Sequence, residues 1–152
     1  MTAPKIGIKN LVKAEWIPAN TSTVTPSFST GWYDRKNVSP QVTFTDPVLV
    51  SISSGTTGFF GMKSNGTPSK YWDGTIAVNL WVTREALETE AVNPKQYIYE
   101  MREEIDRILQ AGYGSVSGLD YVSWLGGFEK VDAEEKPVVY RFVGTVGFGY
   151  LK

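Results

Sequence analysis

Tyr71-Trp72-Asp73-Gly74-Thr75-Ile76-Ala77-Val78-Asn79-Leu80-Trp81-Val82 decides how the chain is read. From residue 75 onward it alternates: Ile76, Val78, Leu80 and Val82 fall on one side of an extended chain, and Thr75, Ala77, Asn79 and Trp81 on the other. This predicts a strand with a core side. Beyond a charged stretch holding Glu85, Glu88 and Glu90, Asn93-Pro94 supplies a cap residue followed by proline at the first helical position. Gly112 stands just past the last residue with helical spacing. Between these marks Ile98, Met101, Ile105, Ile108 and Leu109 recur at helical intervals, while Lys95, Arg102, Glu103, Asp106 and Arg107 fill the other side. The apolar stripe must lie on something, and the face from Ile76 to Val82 is its nearest partner in sequence. Strand and helix together form the middle of one α+β domain.

Upstream, Ile8, Leu11, Val12 and Trp16 have helical spacing, which predicts a short amphipathic helix over Gly7 to Glu15, ended by Ile17-Pro18. Residues 19–39 are rich in Thr, Ser, Asn and Pro but carry Val24, Phe28, Trp32 and Tyr33, anchors that a disordered linker would lack. An extended, partly ordered segment follows from this, with a short strand near Pro26 to Trp32. Pro40 to Thr45 and Pro47 to Ser53 read as strands, with Asp46-Pro47 marking a bend or an edge. Residues 54–70 contain Gly55, Gly58, Gly61, Gly66 and Pro68 among Ser, Thr and Asn, and predict a mobile loop. Phe59, Phe60 and Met62 sit in its middle, so its apolar tip needs either the parent domain or another molecule to cover it.

Downstream, Asp120 to Val131 and Pro137 to Tyr150 predict an antiparallel pair joined by the charged turn 132–136. Tyr140, Phe142, Val146, Phe148 and Tyr150 share a face, with Gly144 in register between them. Gly126-Gly127 interrupts the first strand and suggests a bulge or a close backbone approach. The expected architecture is a single α+β domain spanning 1–152. It has a mixed or mainly antiparallel sheet, with one main helix and the short N-terminal helix packed on one face.

Composition narrows the chemistry. The 152 residues suffice for one domain with a real core, and 41% apolar content is ordinary for one. A net charge of -1 gives no sign of the broad positive field of a non-specific nucleic-acid binder. The chain has no cysteine and no histidine. Disulfides, thiolate nucleophiles, Ser-His-Asp and Cys-His catalysis and His or Cys metal ligation are thereby excluded. Without an apolar leader in Met1 to Lys5, or any run of about 18 apolar residues, an intracellular, soluble protein is expected.

Carboxylates are then the available catalytic acids. Glu129, Asp132, Glu134 and Glu135 cluster at the hairpin turn with Lys130 and Lys136, as solvated turn charges do. Glu100, Glu103, Glu104 and Asp106 read as charges on the helix's outer face, with Glu103 and Arg107 a favourable i,i+4 pair. A glycosidase needs two carboxylates across a cleft, one in an apolar setting, and no such pair is legible. No loop has the spacing of calcium ligands either. The glycines of 112–118 follow a helix, where a dinucleotide cradle must follow a strand, so a phosphate site is set aside. Three Asn-X-Ser/Thr matches, at Asn20, Asn37 and Asn65, indicate polar loops. Of the five tryptophans, Trp81 and Trp124 sit in predicted strands and read as core. Trp32 and Trp72, with Tyr33, are the surface aromatics available to a carbohydrate-type binding module.

The order of segments resembles the small tail terminator and head-tail joining (neck) proteins of tailed bacteriophages and archaeal tailed viruses. The residues that carry the likeness are Ser39 to Pro47, Tyr71 to Trp81, the Asn93-Pro94 helix and Tyr140-Arg141-Phe142 leading into the last strand. Trp16, Asn20-Thr21 and Thr30 to Tyr33 add a likeness to proteins of archaeal tailed viruses and proviruses. The resemblance implies a virion structural protein without catalytic residues, cofactor or metal, assembled in the host cytoplasm. It implies association with itself as a ring, often a hexamer, and contact with a neighbouring tail-tube or neck protein, with no membrane. On that reading the interface residues are Phe59, Phe60, Met62, Lys63, Lys70, Tyr71 and Trp72. The 54–70 loop would order on docking, and Lys63 and Lys70 would face a lumen, making at most weak, non-specific DNA contacts. A carbohydrate-binding module is the alternative and a carboxylate-dependent hydrolase the third.

Overall fold

The computed structural model describes residues 3–30, 48–53, 57–62, 70–83, 93–132 and 139–151. Helix α1 spans Pro4–Glu15 and a short 3-10 turn spans Pro18–Thr21. Strands β1 (Ser27–Ser29), β2 (Val48–Ser53), β3 (Thr57–Met62) and β4 (Lys70–Thr83) follow. Helix α2 (Pro94–Ala111) precedes the closing strands β5 (Tyr121–Asp132) and β6 (Val139–Leu151). The sheet runs in the order β1-β2-β4-β6-β5, with β3 also paired to β4. Among the described strands β1 and β2 pair parallel, and the other pairings are antiparallel. The fold is α+β, as the alternation and the helix signals predict.

The expected α1 begins one turn earlier than the periodicity suggests, because Pro4 occupies the first turn, where its missing N–H costs nothing. Residues 40–45, expected as a strand, lie outside the described residues. Over 54–70 the structure differs from the loop expectation: Thr57–Met62 is a strand, Lys70 already belongs to β4, and only 54–56 and 63–69 are undescribed. Thr57, Phe59 and Phe60 are good strand formers, and tertiary pairing with β4 outweighs the glycines at 58 and 61. β2 and β3 thus lie end to end along one side of β4, opposite Val82 to Ala77 and Gly74 to Lys70 respectively.

Both helices cover one face of the sheet. α2 crosses β4, β5 and β6, whereas α1 sits over β1 and β2 and beside α2. The helices run antiparallel, since Leu11 meets Gly112 while the Glu15 carbonyl accepts from Arg107. Between the layers lie Ile8 and Val12 of α1, Ile76, Val78, Leu80 and Val82 of β4, Ile98, Met101, Ile105, Ile108 and Leu109 of α2, and Phe142, Val146 and Phe148 of β6. Each of these removes roughly 1.5–3 kcal/mol of apolar surface energy from water. Tyr97, which the sequence pattern does not single out, is also fully buried.

Candidate functional site

Four regions combine polar or exposed chemistry with a defined place in the fold. The first is Glu104, on the side of α2 that meets the segment after α1. It was expected on the solvent face, yet it is 2% exposed. Its carboxylate accepts from the Ile17 amide at 3.0 Å, from Asn20 Nδ2 at 2.8 Å and from both Nε and Nη2 of Arg107. The partner of Arg107 is therefore Glu104, at i,i+3, rather than the expected Glu103. Burial by itself pushes this carboxyl up; the hydrogen bonds from Arg107, Ile17 and Asn20, with the Arg107 charge, outweigh it and hold the carboxyl below the usual range. Ser22 Oγ donates to Glu100 at 2.6 Å and the Tyr97 hydroxyl donates to the Val24 carbonyl at 3.3 Å. Burial raises the Tyr97 hydroxyl well above its ordinary value. This polar row fastens residues 15–24 to α2. It also holds Ser22 and Thr23 in left-handed backbone, φ 51° and 64°.

The second region is the sheet face turned away from the helices. Trp81 is 1% exposed there, with the Arg141 guanidinium 4.3 Å from its ring centroid. Arg141 Nη2 also donates to Asn79 Oδ1 at 2.8 Å. Trp81 is core, as its strand position predicts, but on the face opposite Ile76 and Val78.

The third region is the β5 end of the sheet, where β5 is the terminal strand among those described. The expected bulge is present: the register shifts between Trp124 and Gly127, and Gly126 takes φ +81°. Trp124 turns toward the helix layer and packs on Phe142, centroids 5.9 Å apart. Leu125 and Phe128 turn outward and remain 60% and 62% exposed. Between β5 and α2 runs a groove of about 410 Å3 lined by Asp106, Leu109, Gln110, Tyr113, Ser123 and Trp124, among others. Tyr113 is 62% exposed.

The fourth is the outer side of α1, where Lys5, Lys9 and Lys13 follow one another at four-residue intervals beside exposed Ile6. No acidic residue interrupts the helix before Glu15.

The interface residues expected from sequence are brought together in backbone only. Phe59 pairs with Trp72, and Met62 with Lys70, across β3 and β4, with Tyr71 opposite Gly61. Their side chains, and Lys63 entirely, lie outside the described residues, as do Trp32 and Tyr33. What sequence reading missed is Leu125, Phe128 and the Asp106 groove. An exposed apolar residue on a strand looks like core until strand order shows which face is uncovered. The signal that was available is Gly126-Gly127, since a bulge re-aims the side chains beside it. Among the described residues, no three His, Cys, Asp or Glu side chains converge as metal ligands, and no helix is long and apolar enough to cross a membrane. No family model and no curated protein sequence matches the chain.

Proposed function

We propose that the protein is a virion structural subunit that associates with itself in a ring at the head-tail junction or tail end of a tailed virus, acting in assembly without catalysis. The observation that carries this reading is the pair Leu125 and Phe128, large apolar side chains about 60% exposed on the outward face of a terminal strand. Single exposed apolar residues are common; two on the outward face of one sheet edge support the reading that another chain covers this surface. The α+β layering supports the same reading through the resemblance in segment order.

Solution mass by light scattering across a concentration series tests it. The expected result is mass rising to a closed ring, with Leu125→Ser/Phe128→Ser weakening association at unchanged stability. A protein that stays strictly monomeric at the highest concentrations overturns the ring.

A further inference from the structure

The two lateral ends of the sheet carry surfaces of opposite character. Over the β1–β2 end lies α1, whose Lys5, Lys9, Lys13 and Ile6 fall in one sector at about 100° per residue, beside the buried stripe of Ile8 and Val12. At the β5 end lies the groove between α2 and β5. Among the described residues lining it, Asp106 alone is charged. Both arginines of α2 are engaged elsewhere: Arg107, next to Asp106 in sequence, is held by the Glu104 carboxylate and the Glu15 carbonyl, and Arg102 turns to Phe142, 4.3 Å from the ring centroid, and to Glu129 at 3.6 Å. The groove therefore offers a carboxylate whose neighbouring arginines are already engaged, and an apolar wall made by the aromatic groups of half-buried Trp124 and exposed Tyr113. Its volume of about 410 Å3 sits near the lower limit of the roughly 300–1,000 Å3 typical of small-molecule sites, enough for one long side chain.

Building on the ring reading, we infer that this groove is the socket for a lysine of the α1 stripe from a second copy of the chain. The ammonium meets Asp106, where charge and aromatic rings both favour a cation, and the aliphatic stem covers the apolar wall. Because socket and stripe lie at opposite ends of one sheet, the contact is head to tail. Each added copy presents a fresh stripe and a fresh socket, and such heterologous contacts close into rings when the rotation per subunit divides the circle.

The test compares the wild-type protein with Lys5→Gln/Lys9→Gln/Lys13→Gln and with Asp106→Lys. All of these sites are at the surface or half-buried, and folding is checked by circular dichroism and melting. Each variant alone should associate at least tenfold more weakly than wild type. An equimolar mixture should stop at a mass of two subunits, because it contains only one kind of intact contact. Raising salt should weaken wild-type assembly. If wild type assembles and both variants assemble equally well, the socket is wrong while the ring reading stands. A mixture that stays monomeric, or that rebuilds the full ring, overturns the head-to-tail pairing. A wild-type protein that never associates overturns the inference and the ring together.

Discussion

Gly144 lies so close beneath the Trp124 indole that a Cβ on it would stand 2.3 Å from Cη2 of that ring. The missing side chain is what lets Trp124 lean inward on Phe142 and form a wall of the groove. Gly144→Ala should therefore displace the indole and cost about 1–3 kcal/mol, as overpacking does. Near-ultraviolet circular dichroism and urea unfolding would show both effects. An unchanged spectrum with unchanged stability would mean that the indole is not held there.

Gly127→Ala should be the more damaging of the two. A Cβ at Gly127 would meet the Val143 carbonyl oxygen at 1.9 Å, and that atom is backbone of the neighbouring strand. A side chain can swing aside, whereas a strand carbonyl moves only if the ladder does. The order of the two unfolding midpoints checks this.

Glu104 predicts an acid limb in the stability curve. Its folded-state pKa is lowered, so the stability it contributes is present above the ordinary glutamate pKa of about 4.3 and is lost as pH falls through the lower folded value. Melting temperature should drop across that window in wild type, and the drop should be smaller in Glu104→Gln, which cannot titrate. At neutral pH, Glu104→Ala should cost about 1–3 kcal/mol, because it strips the part-buried Ile17 amide and Asn20 of their acceptor while Arg107 can still reach solvent.

Arg102 should be nearly dispensable for folding. Its ion pair with Glu129 is half-exposed, and its Nε is buried without a hydrogen-bond partner among the described residues. Exposed pairs are worth about 0–1 kcal/mol, and an unmet buried donor works against even that. Arg102→Met keeps the contact with Phe142 and should leave stability unchanged or slightly higher by chemical denaturation. A loss above about 2 kcal/mol would show that the pair matters more than its geometry suggests.

Asn93→Ala should remove about 1 kcal/mol, since Asn93 Oδ1 accepts from the Lys95 amide at 2.9 Å and caps α2. Asn93→Asp should retain the acceptor and most of the stability.

The elements with strong periodicity were legible in the sequence: the Ile76 to Val82 face, the capped helix, the closing antiparallel pair and its bulge all stand where alternation and punctuation put them. Glu104 was not, although it stands three residues after Met101 and four before Ile108: a carboxylate on the edge of an apolar stripe reads as solvent-facing until the distant Ile17 amide that donates to it is in place. β3 was missed for a related reason. Its glycines argue locally for a loop, and the pairing with Gly74 to Lys70 that overrides them is a property of the sheet. The exposed pair Leu125 and Phe128 needed strand order, which no pattern along a single strand contains.

The end-to-end placement of β2 and β3 has a mechanical meaning. β4 is braced along nearly its whole length by β6, from Tyr71 to Thr83, whereas on its other side the described pairing stops at Ser53 and resumes at Thr57. The row to β6 alone is unbroken among the described pairings, so the line of Ile76, Val78, Leu80 and Val82 beneath the helices is kept straight by one neighbour, whose own Phe142, Val146 and Phe148 enter the same core.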